Sequence, residues 1–127
     1  MAPYSIVADV RRHYLHIVLS GYWDQLTFDA FAREYTAALD RLEATGGLRR
    51  GLVDGRDFAV QGRAISDQFG ELVVKNRHRL AQRTANLVPS HLNKLQAERA
   101  GGNMIARYFT DEAEAKAWLA EPDAKAA

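Results

Sequence analysis

Apolar and polar positions switch period along the chain, from two near the N-terminus to three and four, and back again several times. Tyr4 to Val10 and Tyr14 to Leu19 are β-rich runs separated by Arg11-Arg12-His13. In the second run Leu15, Ile17 and Leu19 alternate with His16, Val18 and Ser20, the period of a strand. The short basic connection predicts an antiparallel hairpin, and Gly21-Tyr22-Trp23-Asp24 breaks the pattern. Phe28, Phe31, Tyr35, Leu39 and Leu42 then recur at spacings of three and four, on one face of a helix. Thr27 is its expected N-cap and Gly46-Gly47 its stop. Leu48 to Val53 reads as a third strand. A second helix is expected from Arg63 to Leu80, with Ile65, Phe69, Leu72, Val73 and Leu80 as its apolar face. Thr84 to Val88 is a fourth strand, closed by Pro89-Ser90. Ser90 caps a short helix carrying Leu92 and Leu95, which stops at Gly101-Gly102. Met104 to Phe109 is the fifth strand, and Thr110 caps a last helix through Ala120.

The order ββαβαβαβα predicts a single-domain α/β fold over residues 1–121, with a flexible tail at 122–127. Its five-stranded sheet is mixed: an N-terminal antiparallel hairpin, then parallel strands joined by right-handed crossovers, with four helices on the faces. Strands two to five then end at one rim. That rim collects Tyr22-Trp23-Asp24, Asp54-Gly55-Arg56-Asp57, Pro89-Ser90-His91 and Thr110-Asp111. In open α/β sheets ligands and partners bind at such strand ends. The stretch Gly51-Leu52-Val53-Asp54-Gly55-Arg56-Asp57-Phe58 is the most pointed part of it, a buried strand ending in a carboxylate, a glycine, an arginine and a second carboxylate.

With this order in place, the chain resembles the STAS domains, specifically the SpoIIAA-like, anti-sigma factor antagonist-like group. The resemblance runs from Tyr4 to Glu121. It rests on the element order, on Leu52-Val53-Asp54, and above all on Ala106-Arg107-Tyr108-Phe109-Thr110-Asp111-Glu112-Ala113-Glu114-Ala115-Lys116-Ala117-Trp118-Leu119. It implies a non-enzymatic regulatory or interaction module, and since the broader fold relatives include lipid- and small-ligand-binding modules it leaves partner docking and ligand binding both open. Members similar to the bacterial antagonists bind an anti-sigma factor kinase. They are switched by phosphorylation of a Ser or Thr at the start of the helix after strand three, which adds about −1.5 to −2 charges. Here the corresponding stretch, Phe58-Ala59-Val60-Gln61-Gly62-Arg63, has no hydroxyl, so the usual phosphoacceptor is missing. Ser66, one helical turn on, is the displaced candidate, and its ordinary reading is a cap or surface residue.

Composition narrows the classes. At 127 residues the chain fits one domain with one core, and its 47% apolar and 26% charged fractions are those of a globular protein. It has no cysteine, so neither a disulfide nor a thiolate site is expected; that accords with a reducing cytoplasm. Neither a signal peptide nor a bilayer-spanning segment is expected. A net charge of +1 argues against a nucleic-acid binder. The charge is uneven: residues 63–100 hold seven Lys/Arg against three Asp/Glu, and residues 111–127 five Asp/Glu against two Lys.

The remaining candidates each carry an ordinary alternative. Asp54, Arg56 and Asp57 offer a partner or anion contact through a planar donor fork; taken singly they read as turn-forming carboxylates and a solvated arginine. Ser90 and His91 lack a nucleophile elbow and read as a cap and its neighbour. His13, His16, His78 and His91 have no ligand spacing, so no metal is expected, and no cofactor is implied. The run Lys75-Asn76-Arg77-His78-Arg79 reads as a solvated helix C-terminus, with an acidic partner or a membrane surface as the alternative. Trp23 has two readings, an exposed anchor on the rim or a plug beneath the first helix. Two functions follow: docking of an unidentified protein partner, or binding of a small ligand or lipid in a pocket lined by Phe28, Phe31, Phe58 and Phe69. The first strand, as a sheet edge, leaves room for a homodimer.

Overall fold

The strand periods translate directly into a mixed sheet in the order β1-β2-β3-β4-β5. The structure, a computed structural model, describes residues 2–95 and 106–122. Strand β1 (Tyr4–Asp9) pairs antiparallel with β2 (Tyr14–Gly21). Strands β3 (Arg50–Phe58), β4 (Arg83–Leu87) and β5 (Ala106–Phe109) follow in parallel. The helices are α1 (Gln25–Ala44), α2 (Arg63–Lys75), α3 (91–95 of the described residues) and α4 (Glu112–Ala120). The expected Gly101-Gly102 stop and Met104 lie outside the described residues.

Two faces of the sheet carry two cores. On one, Leu15, Ile17 and Leu19 of β2 meet Phe28, Phe31, Tyr35, Leu39 and Leu42 of α1, together with Ile65 of α2. On the other, Leu52, Ala85 and Leu87 meet Ala115 and Leu119 of α4. The spacing of α1's apolar residues predicts this burial. Val73 differs: it lies half exposed on α2 and contributes no core contact.

The element ends differ from the sequence reading wherever a side chain reaches the backbone. The N-cap of α1 is Asp24, not Thr27, because the Asp24 carboxylate accepts from the Thr27 N–H at 2.9 Å. Asp111, not Thr110, caps α4 by accepting from Glu114 N at 3.0 Å. A carboxylate at an N-cap is also favoured by the positive end of the helix dipole. Helix α2 stops at Lys75 rather than Leu80. The buried Asn76 donates its side-chain N–H to Leu72 O at 2.9 Å and accepts from Arg79 Nε at 3.0 Å, closing the helix before a short 3₁₀ turn at Arg77–Arg79.

The largest difference is β3. It does not end at Val53 but continues to Phe58, with a register shift against β2 between Val18 and Ser20. Val18 pairs with Asp54, and Ser20 with Asp57, so β3 holds one extra residue. In a period-two strand one added residue exchanges the faces. Val53 points into the α1 side; without the shift Phe58 would face α4, and with it Phe58 joins the α1 core.

At the opposite end, His13 turns the β1–β2 hairpin in the left-handed region, at φ 55°. Its backbone carbonyl accepts from Arg49 N at 2.8 Å, and its ring Nδ1 lies 3.0 Å from Gly47 O, which makes Nδ1–H the donor. One residue thus ties the hairpin to the α1–β3 loop.

Candidate functional site

Strands β2 to β5 end at one rim, and the helices that follow begin there. The bulge in β3 leaves Arg56 directed at the first turn of α4. Its Nε donates to Asp54 Oδ1 at 3.0 Å and its Nη2 to Asp54 Oδ2 at 2.7 Å, the two-pronged geometry that suits a guanidinium and a carboxylate. Nη2 also reaches Glu112 Oε1 at 2.8 Å, and Glu112 Oε2 takes Lys116 Nζ at 2.7 Å. A chain of alternating charge therefore links β3 to α4.

The electrostatics follow the contacts. The Arg56 hydrogen bonds hold the Asp54 carboxyl below the usual carboxylate range, against the opposing effect of partial burial. Asp54 and then Glu112 hold Arg56 more firmly protonated than usual. Lys116, with Arg56 second, lowers Glu112. Arg56 Nη1 has no acceptor among the described residues and remains a donor toward solvent. Asp57 is exposed, with no ion pair among them.

Trp23 is a correction to the rim. It is 2% exposed, its indole N–H donates to Ser20 O at 2.9 Å, and its ring sits 5.1 Å from Phe31 and 5.2 Å from Phe58. Of its two readings the core plug is the one observed, so it is not available as a surface anchor. Its neighbour Tyr22 takes that place, 69% exposed, with Leu26 at 80% and Val60 at 87% at the same end. The sequence reading placed Tyr22 on the rim but gave the anchor role to Trp23, and it missed Leu26 and Val60. Leu26 falls off the apolar stripe of α1, a signal that was available.

The β3–α2 loop is held by Gln61, which accepts from Trp23 N at 2.8 Å and donates to Gly21 O at 2.9 Å. Gly62 then starts α2 with no side-chain cap. Ser66 is exposed one turn into α2, and its N–H bonds Gly62 O. It is a surface residue and not the cap. Ser90 does cap α3, accepting from Asn93 N at 3.2 Å, while His91 is exposed. The four phenylalanines of the expected pocket touch one another instead of lining a void. Phe69 lies 5.1 Å from Phe28, 5.6 Å from Phe31 and 5.7 Å from Phe58. Among the described residues no cluster of His, Asp and Glu is arranged to hold a metal, and no helix is long and apolar enough to cross a membrane.

Neither a protein-family model nor a curated protein matches the chain. Among solved structures, it is similar to an uncharacterised protein of the DUF3478 family with a SpoIIAA-like fold, from Shewanella loihica PV-4. The TM-score is 0.72 at 16% identity, over 94% of this chain and 95% of that one. The fold is therefore SpoIIAA-like, as the element order and the closing strand and helix imply.

Proposed function

We propose that the protein is a non-enzymatic, STAS-like interaction module that docks a protein partner at the strand C-terminal rim, without a phosphoacceptor at the usual position. The observation that carries this is the pairing, at one end of a rigid sheet, of exposed apolar side chains with a pre-positioned arginine. Tyr22, Leu26 and Val60 supply apolar contact area, and Arg56, held from behind by Asp54 and Glu112, keeps Nη1 free to donate. Interface centres favour this combination of an aromatic anchor with arginine. Because Asp54 and Glu112 fix the guanidinium beforehand, less side-chain freedom is lost on docking.

The fold supports a STAS-like domain, and the loop Phe58 to Arg63 lacks the hydroxyl through which related antagonists are switched. On this reading the rim engages its partner constitutively. The pocket reading has less support, since the rings that would line the pocket fill it.

Affinity capture from native extract tests the proposal. The double variant Tyr22→Ala/Arg56→Ala, both at exposed positions, is expected to fold normally and lose the captured partner at least about tenfold, the effect of a single hot-spot residue. Full retention by the double variant removes the rim as the docking surface.

A further inference from the structure

The other end of the sheet carries charge that the fold does not consume. There β2 to β5 begin and α1, α2 and α4 finish, so several helix C-termini converge. Three arginines at this end have internal work. Arg50 donates to Leu119 O at 2.9 Å and Arg83 to Trp118 O at 2.8 Å, closing α4, while Arg79 engages Asp40 and Glu43. Arg11, Arg41, Arg49 and Arg77 are exposed, and their side chains have no partner among the described residues. The Arg12 side chain makes only a 3.8 Å contact with Asp9, whose carboxylate also accepts from the Arg12 backbone N–H at 3.2 Å.

Helix dipoles account for Arg41 in the last turn of α1 and Lys75 in that of α2. They do not account for Arg11 and Arg12 in the β1–β2 hairpin, nor for Arg49 in the loop into β3. The rim at the far end exposes Asp24, Asp57, Asp111 and Glu114 beside Arg56 and Arg63, an excess of carboxylates, and Arg56 is paired there with Asp54 and Glu112. A net charge of +1 thus hides a bipolar molecule. Along the eight residues of β2 the two ends lie roughly 25 Å apart. That is about three Debye lengths at physiological salt, so each end presents its own field.

We propose that the basic end docks on an anionic lipid surface, which turns the acidic rim away from the membrane and leaves it open. The arginines come from three separate connections, β1–β2, α1–β3 and α2–β4, and no aromatic side chain stands exposed among them, as a protein hot spot would require. Such charge without an anchor suits a fluid anionic leaflet, where lipids move to meet each guanidinium. Val74, 67% exposed beside Lys75 in the last turn of α2, adds one apolar contact. The inference is independent of the docking rim.

Vesicle flotation tests it. The protein is expected to float with phosphatidylcholine–phosphatidylserine vesicles at low ionic strength, not with pure phosphatidylcholine, and to detach as salt is raised. The triple variant Arg11→Glu/Arg49→Glu/Arg77→Glu should lose at least about a hundredfold in vesicle affinity, taking roughly fivefold for each of the three positive charges removed, before the repulsion of the added carboxylates. Its circular dichroism should be unchanged. Arg63→Glu, at the opposite end, should bind like the wild type. Absence of wild-type binding at low salt, equal binding to pure phosphatidylcholine, or undiminished binding by the folded triple variant overturns the proposal. Tighter binding of polyglutamate or single-stranded RNA than of the anionic vesicles, lost in the same triple variant, overturns the lipid assignment.

Discussion

Trp23 meets four rings on the α1 side of the sheet, those of Tyr4, Phe31, Phe58 and Phe69, all within 5.1 to 5.7 Å of its own. Edge and tilted ring pairs of this kind add to the area they bury. Trp23→Ala is therefore expected to lower the unfolding free energy by about 3–5 kcal/mol, read from urea denaturation; a loss under 1 kcal/mol would contradict its place in the core. Tyr35 offers a second residue-scale measurement. Burial pushes its phenol up to about 12 from an ordinary value near 10, with nearby Arg79 pulling weakly the other way. The unfolded chain loses this proton first as pH rises, so the contribution is complete below pH 10 and disappears between 10 and 12. Wild type should lose about 2–3 kcal/mol across that window relative to Tyr35→Phe. Parallel pH profiles for the two proteins would rule this out.

At the scale of elements, connections decide more than strands. Gly46 follows α1 at φ 112°, and a Cβ there would lie 2.7 Å from His13 Cε1. Gly46→Ala is expected to cost about 2 kcal/mol or more, from left-handed strain and from displacement of the ring that bonds Gly47. In a His13→Ala background the ring is gone and only the strain remains, so the two substitutions should be non-additive in a double-mutant cycle. Additive losses would mean that the ring does not meet the α1–β3 loop. The element boundaries show why some ends were legible and others not. Phe28, Phe31 and Tyr35 announce α1 by spacing alone, but Asp24 and Thr27 are both good N-caps, and only the chain's direction out of β2 selects Asp24. In β3 the apolar run stops at Val53. The pairing of Ser20 with Asp57 carries the strand onward, and a backbone partner leaves no local mark in the sequence.

For the whole molecule, the sheet order places β3 at the centre, flanked on both sides by paired strands and covered on both faces. Native-state hydrogen exchange should be slowest in β2, β3 and β4 and fastest in α3, whose Leu92 and Leu95 are exposed. Protection in α3 equal to that in β3 would contradict this ordering. The bipolar charge also belongs to this scale. Asp24 and Asp111 cap α1 and α4 at the rim, and Arg41 and Lys75 sit in the last turns of α1 and α2 at the other end, because the parallel strands align the helices that cross between them. Arg11, Arg12 and Arg49 add to that end from connections outside the helices.

By itself the sequence determined the fold class, the order of strands and helices, the inward face of α1 and the shared rim, because all of these follow from periods of two and 3.6 and from parallel connection rules. Tertiary structure decided what each rim residue is for. It drew Trp23 inward and left Tyr22 outside, turned Phe58 to the α1 face through one extra residue in β3, and joined Arg56 to Glu112, 56 positions away. The physical reason is the same in each case. A residue's neighbours within a turn are fixed by backbone geometry, whereas its partner across the sheet exists only once the chain has closed.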